Sequence, residues 1–157
     1  MMAPASDRHG SIQSELAYLI TTRLRATGRP CRIVTTPGVV PVERSEDNCL
    51  VPDLGITCAP ATGEHLLREP LALIEVLSPT NVSKTRANVR AYRTIPTAAE
   101  IVVLHSAAIV AEVTRRALDG RWSEQPDIVG ADGELRLDSI GFAAPLRDAY
   151  RTSGLTA

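Results

Sequence analysis

The sequence predicts an α+β fold, close to the α/β class, in which a mixed β-sheet is flanked by helices. Apolar residues recur every three or four positions over residues 11–27, which is the stripe of an amphipathic helix. Residues 71–77 are apolar at six of seven positions, as in a strand that is covered on both faces. The length of 157 residues suits one hydrophobic core, so we expect a single domain over residues 1–157, with residues 1–8 flexible.

The remaining elements follow from apolar runs and from the positions of proline and glycine. Gly28 and Pro30 end the first helix, and a second helix is predicted over residues 83–93, ahead of Pro96. Short alternating runs near the C-terminus predict a β-hairpin region. The predicted strands and hairpin segments are residues 31–34, 36–42, 50–58, 71–77, 100–105, 108–115, 122–129 and 134–137, with loops at 43–48 and 59–70 and a short terminal helix at 145–150.

Charge and composition limit the classes of function. A formal net charge of −1 and a pI near 6.3 give no overall basic field, which counts against a nucleic-acid substrate but leaves room for a local basic patch. Among the 17 basic residues Lys84 is the one lysine, which makes it worth examining in any site.

The cysteines and the apolar segments bear on the compartment. Cys31, Cys49 and Cys58 match neither the even count of a disulfide framework nor the close pairing of a zinc site. We therefore expect small buried hydrophobic side chains in a reducing environment. No segment resembles a signal peptide or approaches the ~18 apolar residues of a membrane span, so we expect a soluble, cytoplasmic protein without a membrane partner.

Glu75 is the sharpest anomaly, because it interrupts the apolar run at residues 71–77. Burying an ionised carboxylate costs several kcal/mol unless a cation or strong hydrogen bonds compensate it. By strand alternation Glu75 shares a face with Leu71, Leu73 and Leu77. It belongs to a functional site, or lies where the sheet end meets water, or pairs with an arginine.

Asp53 lies on the neighbouring predicted strand, 22 residues before Glu75. Two carboxylates on adjacent strands can hold one hard divalent cation, because Mg²⁺ prefers carboxylate oxygens and water. The Pro52-Asp53 pair is also typical of a turn, so this alternative stays open.

Several motifs make the chain similar to a known family. They are Pro52-Asp53, Ile74-Glu75-Val76-Leu77-Ser78-Pro79-Thr80-Asn81, Thr85-Arg86-Ala87-Asn88-Val89-Arg90-Ala91-Tyr92 and Ile95-Pro96. They resemble the Uma-type putative restriction endonuclease family, which belongs to the PD-(D/E)XK nuclease superfamily. The resemblance extends from about His9 to the C-terminus, and the block at residues 75–79 is its most specific part.

The resemblance implies a restriction-endonuclease-like fold and a metal-dependent endonuclease that hydrolyses DNA phosphodiester bonds. Asp53, Glu75 and the backbone carbonyl of Val76 would bind Mg²⁺ or Mn²⁺, which would polarise the phosphodiester and lower the pKa of the attacking water. The habits of the superfamily also imply a homodimer.

The chain departs from the family pattern at the lysine that normally completes such a site. The third position of the Glu-x-Lys signature is Leu77, and the lysine that many members carry on the following helix corresponds to Asn88. Lys84, one helical turn earlier, is the amine that could substitute, whereas Asn88 could orient a water but carries no charge. Arg86 and Arg90 would contact phosphate or simply be solvated.

Two further candidates are His9, just before the predicted first helix, and Glu15, on that helix. Family members often have a histidine at the position of His9, and Glu15 could approach the metal as in some superfamily arrangements. Each is otherwise an ordinary surface residue.

Three hypotheses result. The leading one is a metal-dependent endonuclease that acts on DNA. The second is a degenerate relative that keeps the fold and binds nucleic acid or a protein partner without cleavage, which the missing lysine favours. The third is a structural domain in which Glu75 forms an ion pair. If the carboxylates of Asp53 and Glu75 lie on one side of the sheet, the structural hypothesis is weakened. If they point apart, a shared metal ion is excluded.

Overall fold

The computed structural model describes residues 4–42 and 49–156, so the predicted loop at 43–48 lies outside the described residues. Two α-helices are present in this part of the chain, α1 (Asp7–Ala26) and α2 (Val82–Tyr92). The strands are β1 (Arg32–Thr35), β2 (Leu54–Thr57), β3 (Pro70–Leu77), β4 (Glu100–His105), β5 (Ala111–Arg115), β6 (Asp127–Val129), β7 (Glu134–Leu137) and β8 (Phe142–Pro145). Short 3₁₀ turns occupy Asp138–Ile140 and Leu146–Tyr150, the second where a terminal helix was predicted.

The first six strands form one sheet in the order β1-β2-β3-β4-β5-β6. β3 and β4 run parallel, and the other neighbouring pairs are antiparallel. β7 and β8 form a separate antiparallel hairpin. The predicted α+β fold, with a mixed sheet, flanking helices and a C-terminal hairpin, is confirmed.

The two helices cover opposite faces of the sheet. α1 packs its apolar stripe against the even-numbered residues of β3. α2 packs Val89 and Tyr92 against the odd-numbered residues Leu73 and Leu77. Full burial of each such apolar side chain contributes about 1.5–3 kcal/mol relative to exposure. β3 is thus covered on both faces, which explains why its sequence is almost continuously apolar.

The second predicted strand is shorter than its apolar pattern suggests. β2 begins only at Leu54, because Pro52 has no N–H to donate to a ladder. Leu50 forms an isolated bridge to Val39 instead. Asp53 therefore lies where regular strand pairing stops.

The prediction that Leu71 shares a strand face with Glu75 is wrong. The register of β2 against β3 shifts between Ile56 and Thr57. Leu71 consequently packs against the core beneath α1 and does not share the face of Glu75. Strand alternation holds only while the register is regular.

The prediction for the cysteines is also wrong. Cys31 and Cys58 form a disulfide, and Cys49 is an exposed free cysteine. β1 and β2 pair with Arg32 opposite Thr57, so the two cysteines face each other one residue beyond that pair. In the described ranges, no helix is both long enough and apolar enough to cross a membrane.

Candidate functional site

Asp53 and Glu75 face one pocket at an end of the sheet. β2 and β3 pair with Leu54 opposite Ile74, and continuing this register by one residue sets Asp53 beside Glu75. Directly opposed residues of antiparallel strands have Cβ atoms about 4.5–5.5 Å apart. Both side chains line a pocket of about 480 Å³, together with residues of α1 and α2. The two carboxylates therefore lie on one side of the sheet, which weakens the interpretation of Asp53 as a simple turn residue.

Glu75 is buried among neutral partners. Only 6% of its surface is exposed. Its Oε1 accepts hydrogen bonds from the Tyr92 hydroxyl at 2.6 Å and from Asn88 Nδ2 at 3.1 Å. Burial raises the pKa of Glu75 to about 7, the nearby Asp53 adds to this rise, and the hydrogen bonds from Tyr92 and Asn88 oppose it.

No ion pair within residues 4–42 and 49–156 compensates this carboxylate. Among the ion pairs that the described residues form, none involves Glu75, so the alternative of an arginine partner is wrong for this part of the chain. Its Oε2 likewise accepts no hydrogen bond from them. A buried carboxylate is costly when one of its oxygens accepts no hydrogen bond and no cation lies beside it. A bound cation would compensate its charge.

Asp53 is held by three elements. Its Oδ2 accepts the backbone N–H of Val76 at 2.7 Å, a donor that regular pairing with β2 no longer satisfies. Its Oδ1 lies 2.8 Å from Nε2 of His9 on α1. Its backbone carbonyl accepts Gln13 Nε2 at 2.8 Å and the N–H of Thr36 at 2.9 Å. These contacts fix the side chain at the entrance of β2.

His9 is brought to the site by the start of α1. Ser6 caps the helix by accepting the His9 N–H at 3.2 Å, and Gln13 follows four residues later on the same face. The hydrogen bond to Asp53 raises the pKa of His9 above its usual value, while burial opposes the rise and the charges of Asp53 and Glu75 reinforce it. His9 therefore contacts a carboxylate of the candidate site, and a functional role for it stays a prediction.

The carbonyl of Val76 is partly engaged. It accepts Asn81 Nδ2 at 3.3 Å, and Asn81 Oδ1 in turn accepts the N–H of Ser78 at 2.8 Å. A carbonyl oxygen has two lone pairs, so one acceptor position of Val76 remains. Asn81 also precedes α2 as its N-terminal cap residue, so it links the end of β3 to the helix that carries Asn88.

α2 places the single lysine in the same pocket. Lys84 is exposed and lines the pocket with Asp53 and Glu75. Asn88, one turn later, also lines it, but its amide is used as a donor to Glu75. Leu77 is buried in the core beneath α2 and takes no part. Lys84 thus brings an amine to this pocket, although it lies one helical turn before the family position at Asn88.

Three of the sequence candidates lie elsewhere. Glu15 accepts a hydrogen bond from Thr152 Oγ1 at 3.1 Å and does not line the pocket. Arg86 donates to both carboxylate oxygens of Glu112, so the two alternatives of phosphate contact and free solvation are replaced by an ion pair. Arg90 is exposed outside the pocket.

Sequence reasoning missed the contacts of Gln13, Asn81 and Tyr92. A signal was present for two of them, because Gln13 follows His9 by four residues and Tyr92 follows Asn88 by four residues, each on one helix face. The role of Asn81 depends on the geometry of the turn between β3 and α2, which no periodicity reports.

The available donors suit a hard divalent cation. Within residues 4–42 and 49–156, no group of three or more His, Cys, Asp or Glu side chains could hold a metal ion by itself. Asp53 and Glu75 instead bring two carboxylates to one pocket, whose lining does not include Val76, and the N–H of Val76 donates to Asp53 Oδ2. Mg²⁺ is usually held by one or two carboxylates with several waters, so this donor set fits Mg²⁺ or Mn²⁺ better than zinc.

Comparisons with known proteins agree with this description. Among solved structures, the chain is similar to one described as a putative nuclease belonging to DUF820 from Anabaena variabilis ATCC 29413, with a TM-score of 0.72 and 16% identity over 96% of this chain and 85% of that chain. At this identity the likeness shows the fold. No curated protein matches the chain. A family model described as Uma2, putative restriction endonuclease, matches residues 1–146. The chain therefore belongs to the Uma2 family of putative restriction endonucleases.

Proposed function

We propose that this protein is a metal-dependent endonuclease that hydrolyses DNA phosphodiester bonds. The observation that supports it most is the convergence of Asp53 and Glu75 in one pocket, with Glu75 buried and without a basic partner. Asp53, Glu75 and the carbonyl of Val76 would hold Mg²⁺ or Mn²⁺. The bound ion would polarise the phosphodiester and lower the pKa of the attacking water.

The chain's own residues prepare the site. Tyr92 and Asn88 donate hydrogen bonds to one oxygen of Glu75. Because the carboxylate group is planar and rigid, these bonds also orient its second oxygen. His9 and the N–H of Val76 fix the two oxygens of Asp53. Such supporting hydrogen bonds orient ligands, and their loss typically costs about 10- to 100-fold in metal affinity or activity.

Lys84 is the proposed cationic group. Its ammonium would stabilise the negative charge that develops on the phosphate during hydrolysis. The flexible side chain is exposed in the pocket, so it can approach a substrate without the loss of a structural contact.

The second candidate is a degenerate relative that binds nucleic acid or a protein partner without cleavage. The lack of a lysine at the positions of Leu77 and Asn88 favours it, because Asn88 carries no charge and donates one amide N–H to Glu75. Homodimerisation and a cytoplasmic location stay predictions.

Plasmid nicking in Mg²⁺ or Mn²⁺ tests the proposal. Asp53→Asn, which removes a charge and keeps the shape, should reduce nicking at least about 100-fold, since even supporting contacts are worth about 10- to 100-fold. Lys84→Ala should reduce it by about 100-fold if its charge stabilises the transition state. Arg90→Ala is the matched control, because Arg90 is an exposed cation of the same helix outside the pocket.

The outcomes separate the candidates. Nicking by Asp53→Asn at the wild-type rate would contradict the mechanism. Binding of Mn²⁺ by the wild type without nicking of any plasmid would favour the degenerate relative. Equal rates for Lys84→Ala and Arg90→Ala would remove Lys84 from the proposal and leave the carboxylates in place.

A further inference from the structure

The arginines of the chain differ in their partners. Within residues 4–42 and 49–156, seven of them form ion pairs with carboxylates: Arg68, Arg86, Arg115, Arg121, Arg136, Arg147 and Arg151. Arg25, Arg29 and Arg32 pair with no carboxylate of the described residues, and they line one pocket of about 330 Å³ that has no acidic residue in its lining. We refer to these three residues as the arginine cluster.

The end of α1 builds this cluster. Gly28 has a φ of 64° in the left-handed region, which glycine adopts without strain. The N–H of Gly28 donates to the carbonyl of Arg25 at 3.3 Å, and the N–H of Arg29 donates to that of Leu24 at 3.2 Å, which is the Schellman pattern of a helix C-terminus. The chain reverses there and enters β1 at Arg32. Residues from the last helical turn, the cap and the edge strand thereby surround one cavity.

Helix stabilisation does not account for the cluster. A basic residue in the last turn of a helix stabilises the helix by its interaction with the helix dipole, and this explains Arg25. Arg29 and Arg32 lie beyond the helix. Both residues line the same cavity as Arg25, and like charges at one cavity repel one another.

The hydrogen bonds of the cluster leave its charge uncompensated. Arg29 donates one guanidinium N–H to the carbonyl of Ser139 at 3.0 Å, a neutral acceptor that orients the group. Nε of Arg32 is buried and has no acceptor among residues 4–42 and 49–156. A buried donor without an acceptor destabilises the fold, because it has lost its hydrogen bond to water. An anion in the cavity would satisfy it and relieve the repulsion.

We propose that the arginine cluster binds a backbone phosphate of DNA, as a contact separate from the acidic pocket. Guanidinium groups remain charged at all physiological pH values and match phosphate with paired hydrogen bonds. The choice of DNA as the source of the phosphate rests on the proposed function. A contact of this kind also reconciles a nucleic-acid substrate with a net charge of −1, because the basic field is local.

The spacing of the two sites suits a duplex. His9 and Arg25 lie at opposite ends of α1, and a rise of 1.5 Å per residue separates them by about 24 Å along the helix axis. This distance equals the axial length of about seven base pairs of B-DNA. A duplex that presents one phosphate to the acidic pocket is therefore long enough to present another to the cluster.

Fluorescence anisotropy with a labelled 25-base-pair duplex in EDTA tests the proposal without cleavage. The variant Arg25→Ala/Arg29→Ala/Arg32→Ala should bind at least about tenfold more weakly, and the slope of log K against log salt should become shallower by about 0.9, the contribution of one phosphate contact. The matched control is Arg121→Ala/Arg147→Ala/Arg151→Ala. It removes the same charge from exposed arginines that pair with carboxylates, and it should leave the slope unchanged.

A single substitution guards against unfolding of the triple variant. Arg25 is exposed and its side chain donates no hydrogen bond to the described residues, so Arg25→Glu should fold normally and still weaken DNA binding. Wild-type affinity in Arg25→Glu, absence of DNA binding by the wild type, or saturation of the cluster by millimolar inorganic phosphate without displacement of the duplex would each overturn the proposal.

The two proposals fail separately. Plasmid nicking by a wild type whose DNA affinity does not depend on the cluster would leave the endonuclease proposal intact and remove this one. DNA binding that depends on the cluster, in a protein that nicks no plasmid, would support the cluster and contradict the endonuclease.

Discussion

Glu75 and Glu100 are both buried glutamates, on the neighbouring parallel strands β3 and β4, yet their surroundings differ. Their exposed fractions are 6% and 3%. Glu100 accepts the backbone N–H groups of Asp138 at 3.0 Å and Ser139 at 2.9 Å, and Arg115 Nε lies 3.4 Å from its Oε2. Glu75 accepts hydrogen bonds at one oxygen only, from two neutral side chains.

The difference shows how a structural carboxylate can be told from one that awaits a ligand. Both oxygens of Glu100 are engaged and a cation compensates its charge, so this residue is complete within the fold and ties the 3₁₀ turn after β7 to the sheet. Glu75 has an open oxygen, a raised pKa and a second carboxylate beside it. Burial by itself does not distinguish the two residues, whereas their partners do.

The largest expected effect is on nicking. Glu75→Gln should reduce plasmid nicking at least about 100-fold, because an amide cannot replace an anionic metal ligand and even supporting contacts are worth about 10- to 100-fold. Glu100→Gln should nick at the wild-type rate per folded molecule. Rates are measured at a temperature where circular dichroism shows both variants folded. Similar losses in the two variants would remove the distinction between them.

Stability should respond in the opposite way. Glu100→Gln should lower the free energy of unfolding by about 2–3 kcal/mol, because hydrogen bonds to a charged group are worth about 1.5–3 kcal/mol each and two of its donors are backbone N–H groups. Glu75→Gln should leave stability unchanged or raise it at pH 8 in EDTA, since it removes a poorly compensated charge. Urea denaturation measures both. A destabilised Glu75→Gln would indicate that Glu75 also has a structural role.

The pH dependence of stability should sharpen the comparison. Glu75 holds its proton to about pH 7 in the folded protein, whereas the unfolded chain releases it near the ordinary value of 4.5. Between these values the unfolded state binds fewer protons, so stability in EDTA should fall as pH rises, by up to about 1.4 kcal/mol per pH unit. In Glu75→Gln the free energy of unfolding should not fall over this pH range.

His9 contributes a further decline at higher pH. Its pKa is raised above 6.5, so the stabilisation it provides is complete below that pH and is lost as pH rises through its folded value. Urea titrations from pH 4.5 to 8 in the wild type and in Glu75→Gln separate the two groups. A decline between pH 4.5 and 6.5 that persists in Glu75→Gln would contradict the assignment.

The smallest expected effect belongs to Tyr92→Phe. The Tyr92 hydroxyl lowers the pKa of Glu75, so its removal should extend the decline in stability to higher pH and cost about 1 kcal/mol for the lost hydrogen bond. Tyr150→Phe is the matched control, because this buried hydroxyl donates to the carbonyls of His105 and Val110 far from the carboxylates. The control should lose stability without a change in the pH range of the decline.

The elements that could be predicted are those with a local pattern. The stripe of α1 and the apolar run of β3 report periodicity and burial within one segment, so both were placed within a few residues. Leu71 and the pair Cys31 and Cys58 were misjudged, because strand register depends on how separate segments align. The helix of Lys84 and Asn88 was predicted, but the engagement of Asn88 with Glu75 was not.

By itself the sequence determined that Glu75 would be a carboxylate inside an apolar strand and that neither Leu77 nor Asn88 supplies the lysine of the family pattern. It placed Asp53 within the adjacent strand, whereas β2 begins one residue later, at Leu54. Only the tertiary structure decided that His9 contacts Asp53 across 44 residues and that Tyr92 reaches Glu75. It also decided that the arginine cluster gathers three cations in a chain of net charge −1. Residue types and periodicities are local properties of the chain, whereas the partners of a charge are set by which distant segments the packed core brings together.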